Sequence, residues 1–291
     1  VGSGWLRLTT NLANQQGGAL YTSSTFSPAN GVVVEFEYVA WGGNGADGLS
    51  MFFYDASANM SGALSGAGLR YCSGAGGYLG VGLDAFGNFS SPPAPGACPN
   101  FDGPGNRPDS VVVRGPRSAN NPYVGGATVA GGIDVPSVTT RPTPNRVRYF
   151  LVPNGSGGYR VTVAHGVNGA TPTPVLNNLN FPYAAPALLP LGIGGSTGGF
   201  NNIHEVRRVV VAAPADIGIT KTVPAAGIAP GQPLTYTVVV SNNDINPADA
   251  GSQAPPITAA NAPDITDTLP AALTGASWTC AATAGSTCPA A

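Results

Sequence analysis

VVVEFEYVAW, residues Val32–Trp41, decides the fold class. In its middle, Val34, Phe36 and Tyr38 alternate with Glu35 and Glu37, the period of two at which successive side chains leave a strand on opposite faces. One face is apolar and the other charged, which predicts a half-buried strand of an antiparallel sheet with Glu35 and Glu37 on its solvent side. Working outward, LSMFFYD (Leu49–Asp55) and YLGVGLDAF (Tyr78–Phe86) are nearly continuous apolar runs, the pattern of buried strands. SVVVR (Ser110–Arg114) is short and β-branched, and HEVRRVVVA (His204–Ala212) is strand-like again. NRVRYFLV (Asn145–Val152) and YRVTVAHGV (Tyr159–Val167) flank PNGSGG, which reads as a hairpin turn. No convincing amphipathic helix is found. Many strands joined by Gly- and Pro-containing loops predict an all-β protein built on two packed antiparallel sheets.

Composition agrees. The 291 residues include 42 Gly and 28 Pro, too many for a helical protein. Hydrophobic residues make up 43%, enough for a sizeable core, whereas charged residues are only 9% against ~25% in ordinary domains. A net charge of −2 gives no reason to expect nucleic acid as a partner. No run of ~20 apolar residues predicts membrane insertion. Charge is unevenly placed: all eleven arginines precede residue 214, and the only lysine, Lys221, follows it. That shift puts a boundary near Ala212–Ala215 and divides the chain into residues 1–213 and 214–291. Cys72 and Cys98 fall in the first part, Cys280 and Cys288 in the second. An even count split this way predicts two local disulfides and an oxidising, extracellular compartment.

Three stretches of the first part carry the chemistry: GNGADGLSMFFYD with Asp47, GGYLGVGLDAFGN with Asp84, Phe86 and Asn88, and NRPDSVVVRG with Asp109. Calcium takes ~6–8 oxygen ligands from carboxylates, amide oxygens, carbonyls and water. Asp84, the Phe86 carbonyl, Asn88 and Asp109 supply such oxygens if the loop folds back. Asp and Asn at strand ends are also ordinary turn formers, so the spacing does not decide between the two readings.

ADGLSMFFYD, GGYLGVGLDAFGN and GGSTGGFNNIHEVRRVVV, in that order, make residues 1–213 resemble the L-type lectins, the legume-lectin-like group with plant, animal and bacterial members. The resemblance implies a concanavalin-like jelly-roll sandwich whose loops hold calcium and a sugar at one rim. It implies Asp84, the Phe86 backbone, Asn88 and Asp109 as calcium ligands, with Asp102 a rival for Asp109. It implies sugar contacts from Asp47, Gly77 and Asn88, a cis Ala46–Asp47 peptide, and specificity set by Ser196–Phe200, with Thr197, Gly198 and Gly199 among the contacts. Tyr78 or Phe86 would stack on the sugar's apolar face. Where plant members carry the Glu and His of a neighbouring transition-metal site, this chain has Gly82 and Arg114, so calcium alone is expected.

Some glycoside hydrolases share this sandwich, and a retaining one needs two carboxyl groups ~5–5.5 Å apart. Glu35 and Glu37 are the one pair on a common strand face, but Val39, Ala40 and Trp41 break the acidic run such enzymes carry. The protein is therefore not expected to be an enzyme. His204 and Glu205 read as a structural pair, His165 as a surface residue, and Arg207 and Arg208 as solvent-facing.

DIGITKT, GQPLTYTVVVSNN and ITDTLPAAL make residues 214–291 resemble a repeat domain of bacterial surface proteins, an immunoglobulin-like stalk. It reads as short of a complete sandwich, with a loop inserted between Asn243 and Pro263. Lys221 and Asn242 or Asn243 read as ordinary surface residues rather than as an isopeptide pair. The combined expectation is the calcium-dependent carbohydrate-binding module of a secreted bacterial surface adhesin with a glycan partner. The alternative is a structural module of a surface filament that uses calcium only to stiffen its loops.

Overall fold

The computed structural model describes residues 4–91, 98, 102–212, 214, 217–223, 229, 231–242, 266–282 and 288. Two six-stranded antiparallel sheets are built from residues 6–212. One has the order β1 (Leu6–Thr9), β12 (Ile203–Ala212), β3 (Val32–Trp41), β8 (Asn145–Pro153), β9 (Tyr159–Gly166) and β10 (Thr173–Phe181). The other has β2 (Gln16–Phe26), β11 (Leu189–Ser196), β4 (Gly48–Tyr54), β5 (Gly77–Asp84), β6 (Ser110–Arg114) and β7 (Tyr123–Thr128). Helical residues among those described are confined to three-residue 3₁₀ turns.

The period of two fills the space between the sheets. Val34, Phe36 and Tyr38 of β3 and Val147, Tyr149 and Leu151 of β8 meet Leu49, Met51 and Phe53 of β4 and Val111 and Val113 of β6. β4 and β5 lack the alternation because their other face is buried too. There Phe52, Tyr54 and Val112 pack with Met60, Leu69, Tyr71 and Phe89 in a second core that contains the Cys72–Cys98 disulfide. Glycines make that second core fit: a Cβ on Gly80 would lie 2.5 Å from the Tyr71 ring, and one on Gly82 2.4 Å from the Phe89 ring.

Glu35 and Glu37 do face outward from β3, and each is bound by two arginines. Arg146 and Arg148 hold Glu35; Arg207 and Arg208 hold Glu37. Burial raises both carboxyls, but the guanidinium hydrogen bonds outweigh it and leave both below the usual carboxylate range. Neither is poised to donate a proton near neutrality, which a general acid must do.

Two histidine expectations are corrected. His165 is buried rather than at the surface, its Nε2 2.8 Å from the Tyr38 hydroxyl. Strand register sets it inside β9, where a partner comes from β3, 127 residues away. His204 and Glu205 are both structural but are not partners. His204 Nδ1 lies 2.7 Å from the Thr9 hydroxyl, while Glu205 accepts from Arg7, Arg141 and the Trp41 indole. Adjacent residues on a strand point to opposite faces, so each finds its own neighbours.

Beyond residue 213, the described residues show one two-stranded antiparallel sheet, β13 (Ile217–Thr222) with β14 (Thr237–Asn242), and the Cys280–Cys288 disulfide. Lys221 Nζ donates to both oxygens of Asp267 and sits 4.4 Å from the Tyr236 ring centroid. Asn242 pairs with Ile217, four positions along β13 from Lys221. Asn243 and the segment up to residue 263 lie outside the described residues.

Candidate functional site

Strand register brings four chain segments to one end of the second sheet. Gly48, which opens β4, pairs with Asp84, which closes β5; Ser196, which closes β11, pairs with Gly48; and Ser110, which opens β6, pairs with Asp84. Asp47, the 84–88 loop, Asp109 and the 196–200 loop are therefore neighbours. The crossing is tight at Gly48, whose φ of +147° and whose distance of 2.2 Å from a built Cβ to the Leu83 carbonyl oxygen exclude a side chain. The Ala46–Asp47 peptide is cis. Asp47 N–H donates to the Ser196 carbonyl at 3.0 Å, and its own carbonyl accepts from Phe86 N–H at 3.1 Å. Asp47 is thus tied to two of the loops.

Asp84 is buried, and it folds the loop that follows it. Oδ1 accepts from Gly87 N–H and Oδ2 from Phe89 N–H, each at 2.8 Å. Burial pushes its carboxyl up to about 7, with those N–H groups pulling the other way and the Asp47 charge adding to the rise. The turn presents Asn88, whose Nδ2 donates to Asp47 Oδ1 at 3.3 Å. Two buried acceptors then stand without a partner: Asp47 Oδ2 and Asn88 Oδ1. Burial raises the Asp47 carboxyl, and the Asn88 bond partly offsets this. An unsatisfied buried acceptor costs ~1–3 kcal/mol, so two on adjacent side chains point to ligands rather than to packing.

Asp109 adopts φ +54° and donates its N–H to the Ala85 carbonyl, while its Oδ1 accepts from Ile133 N–H at 2.9 Å. Its charge also raises the half-buried Asp134, for which burial is the larger cause. Asp102 does not share this neighbourhood: Oδ1 pairs with Arg114 at 2.9 Å, and Oδ2 accepts from Tyr123 N–H at 2.7 Å. At the positions of the plant transition-metal ligands, Gly82 faces the Phe89 ring and Arg114 is a buried guanidinium.

The sugar-contact expectations divide. Gly77 and Tyr78 belong to the far end of β5, where Gly77 pairs with Tyr54, about 23 Å from Asp84 at ~3.3 Å per residue. Tyr78 is a core residue: its ring packs on Phe181 with centroids 5.4 Å apart, and its hydroxyl donates to the Tyr183 carbonyl. Neither reaches the rim. The glycine beside Asp47 is Gly66, where a built Cβ would sit 3.9 Å from Asp47 Oδ2. Gly198 closes the other side, its built Cβ 3.3 Å from the same oxygen. Thr197 is buried, with its hydroxyl committed inward, donating to the Leu12 carbonyl and accepting from Gln15 N–H. It holds the loop instead of facing a ligand. Gly199 has open space around it, and the Phe200 ring, 50% exposed, leans on Phe86 with centroids 5.5 Å apart.

The two-sheet fold is shared with solved structures. The exoplasmic/lumenal domain of VIP36, in its Ca²⁺/Man3GlcNAc-bound form, superposes with a TM-score of 0.50 over 74% of this chain and 80% of that one, at 12% identity. The two-sheet region has a lectin-like fold. Lectin I-B4 from Griffonia simplicifolia, in a metal-free form, matches 73% of this chain and 89% of its own at 18% identity and a TM-score of 0.49. No protein-family model and no curated protein matches the chain.

The donor chemistry of this rim fits calcium. Among the described residues no group of three or more His, Cys, Asp or Glu could hold a metal ion by themselves. A site here must therefore draw on amide and carbonyl oxygens as well, which a hard cation accepts and zinc does not favour. Asn88 Oδ1 is such an oxygen, buried and unpartnered. Asp84 takes backbone N–H groups from Gly87, Phe89 and Ser90, and a carboxylate with about four acceptor sites still has one to offer.

Proposed function

We propose that residues 1–213 are a calcium-dependent carbohydrate-binding module of a secreted bacterial surface adhesin, and that residues 214–291 act as its stalk. The observation that carries this reading is the Asp47–Asn88 pair, with one unpartnered acceptor on each residue. Asp47 Oδ2 accepts from a sugar hydroxyl, and charge-assisted bonds of this kind are the stronger ones. Gly66 and Gly198 leave a saccharide room to approach that oxygen. Phe86 and Phe200 offer apolar ring surface to the C–H face of the sugar. Gly199 adds no side chain and leaves the 196–200 loop open on that side.

Asp84, the Phe86 carbonyl, Asn88 Oδ1 and Asp109 would hold the calcium. When bound, the ion supplies positive charge that neutralises the buried carboxylates and keeps the Asn88 amide oriented. With Oδ1 on the ion, the Asn88 Nδ2 is directed at Asp47 and the sugar. Two disulfides and the VIP36 likeness support a secreted location.

A glycan array read with and without calcium tests the proposal, using the wild type and Asp47→Ala. The expected outcome is calcium-dependent signal on at least one glycan class, lost in the variant while its melting temperature changes little. Full signal in Asp47→Ala would exclude this site. No signal from the wild type would favour the structural-module alternative.

A further inference from the structure

A buried, fully used charge lies behind the rim. Arg114, on β6, is fully buried. Its Nε donates to the Phe89 carbonyl at 2.9 Å and its Nη2 to the Ser91 carbonyl at 3.1 Å. Its Nη1 donates to Asp102 Oδ1 at 2.9 Å and to the Asn121 carbonyl at 3.3 Å. The Phe89 and Tyr123 rings flank the guanidinium, with centroids 5.9 and 5.5 Å away. Burying a guanidinium is costly, and an apolar residue would fill the same space at less cost. The fork therefore needs a reason beyond packing.

Its contacts supply one. Phe89 and Ser91 belong to and directly follow the 3₁₀ turn Asn88–Ser90, and Asn88 is the residue whose amide meets Asp47. The turn is gripped from both sides: Asp84 accepts its N–H groups, and Arg114 donates to its carbonyls. Ser90 adds a hydroxyl bond to the Gly87 carbonyl. Asp102 anchors the other end of the guanidinium.

We infer that Arg114 is a positioning residue of the proposed glycan site, holding the Asn88 turn so that its amide faces Asp47. The inference rests on the function proposed above for its ligand, but not for its geometry. Lysine cannot replace the fork, because a single ammonium lacks the planar set of donors that serves three carbonyls and a carboxylate together.

The test uses the full chain with Arg114→Lys, Arg114→Met and Asp102→Asn. Amide hydrogen exchange is followed in the peptide 85–91, with the peptide 32–41 as internal reference, and glycan titration is run at saturating calcium. Expected for Arg114→Lys is exchange at least about tenfold faster in 85–91 only, a local opening rather than a global one, together with at least tenfold weaker glycan binding. Wild-type exchange in 85–91 for Arg114→Lys overturns the inference, whatever its melting temperature. Should both Arg114 variants fail to fold, Asp102→Asn decides: faster exchange confined to 85–91 supports the role, and unchanged exchange overturns it. A wild type that binds no glycan sinks the proposed function, while exchange still reads the positioning role.

Discussion

The carboxylates on the outer face of the first sheet and those at the rim of the second live in opposite electrostatic worlds. Glu35, Glu37 and Glu205 each have two arginines, and hydrogen bonds from those guanidiniums leave each carboxyl lowered in spite of burial. Asp47, Asp84 and Asp134 are raised, with burial the largest cause and no direct arginine partner among the described residues. An outer-sheet carboxylate is complete within the protein. A rim carboxylate is held in a costly state by backbone and amide donors, a state that the proposed cation and hydroxyl donors would relieve. Charge alone does not mark function; charge left incompletely answered does.

Acid should break the contrast most severely, through the two histidines. Burial lowers His165 to about 4 and His204 to about 3, against 6.5 for the free group. At these two sites the unfolded chain therefore binds more protons between those values, so the histidines' contribution to stability is whole above pH 6.5 and is lost as pH drops toward 4, while the raised Asp84 carboxyl works in the opposite sense over the same range. The His165 shift alone is on the order of 3 kcal/mol by pH 4, at ~1.36 kcal/mol per unit. Urea unfolding at stepped pH, repeated on His165→Gln, should show this slope flatten in the variant. Loss confined to pH below 4.5 would assign acid sensitivity to the glutamates instead.

Smaller effects should separate the outer-sheet carboxylates by depth. Glu205→Gln weakens the grip on Arg7 and Arg141 from a buried position and should cost about 2 kcal/mol, less than a fully buried pair because both arginines reach solvent. Glu35→Gln, on partly exposed pairs, should cost less than ~1 kcal/mol. Both should leave any glycan signal unchanged. Chemical unfolding and array binding on the same preparations check the pair of outcomes, and loss of binding without loss of stability in either variant would erase the distinction between the two regions.

What the sequence made legible follows from where each signal originates. β3 was readable because its alternation is local, and β6 began and ended where SVVVR does. β4 and β5 were readable as strands, but not the reason for their continuous apolar runs, since the second core is completed by Met60, Leu69 and Tyr71 from a loop. β1, β2, β7, β10 and β11 went unseen. β2 is mostly exposed, and in β11 Gly192 stands where the Phe52 ring of a neighbouring strand needs room. At the rim, Asp47, Asp84 and Asn88 were legible from their motifs, and the structure brings them together. Gly77 and Tyr78 were misassigned because proximity to Asp84 in sequence is distance along an extended strand. Gly66 was missed because a folded-back loop, not a motif, carries it to Asp47.

Calcium titration calorimetry on the wild type and Asp84→Asn addresses the rim most directly. Saturable calcium heat in the wild type, gone in the variant, together with a melting temperature that falls on chelation in the wild type alone, is the predicted result. A wild type that gives no calcium heat and melts identically with excess chelator would contradict the account at its root.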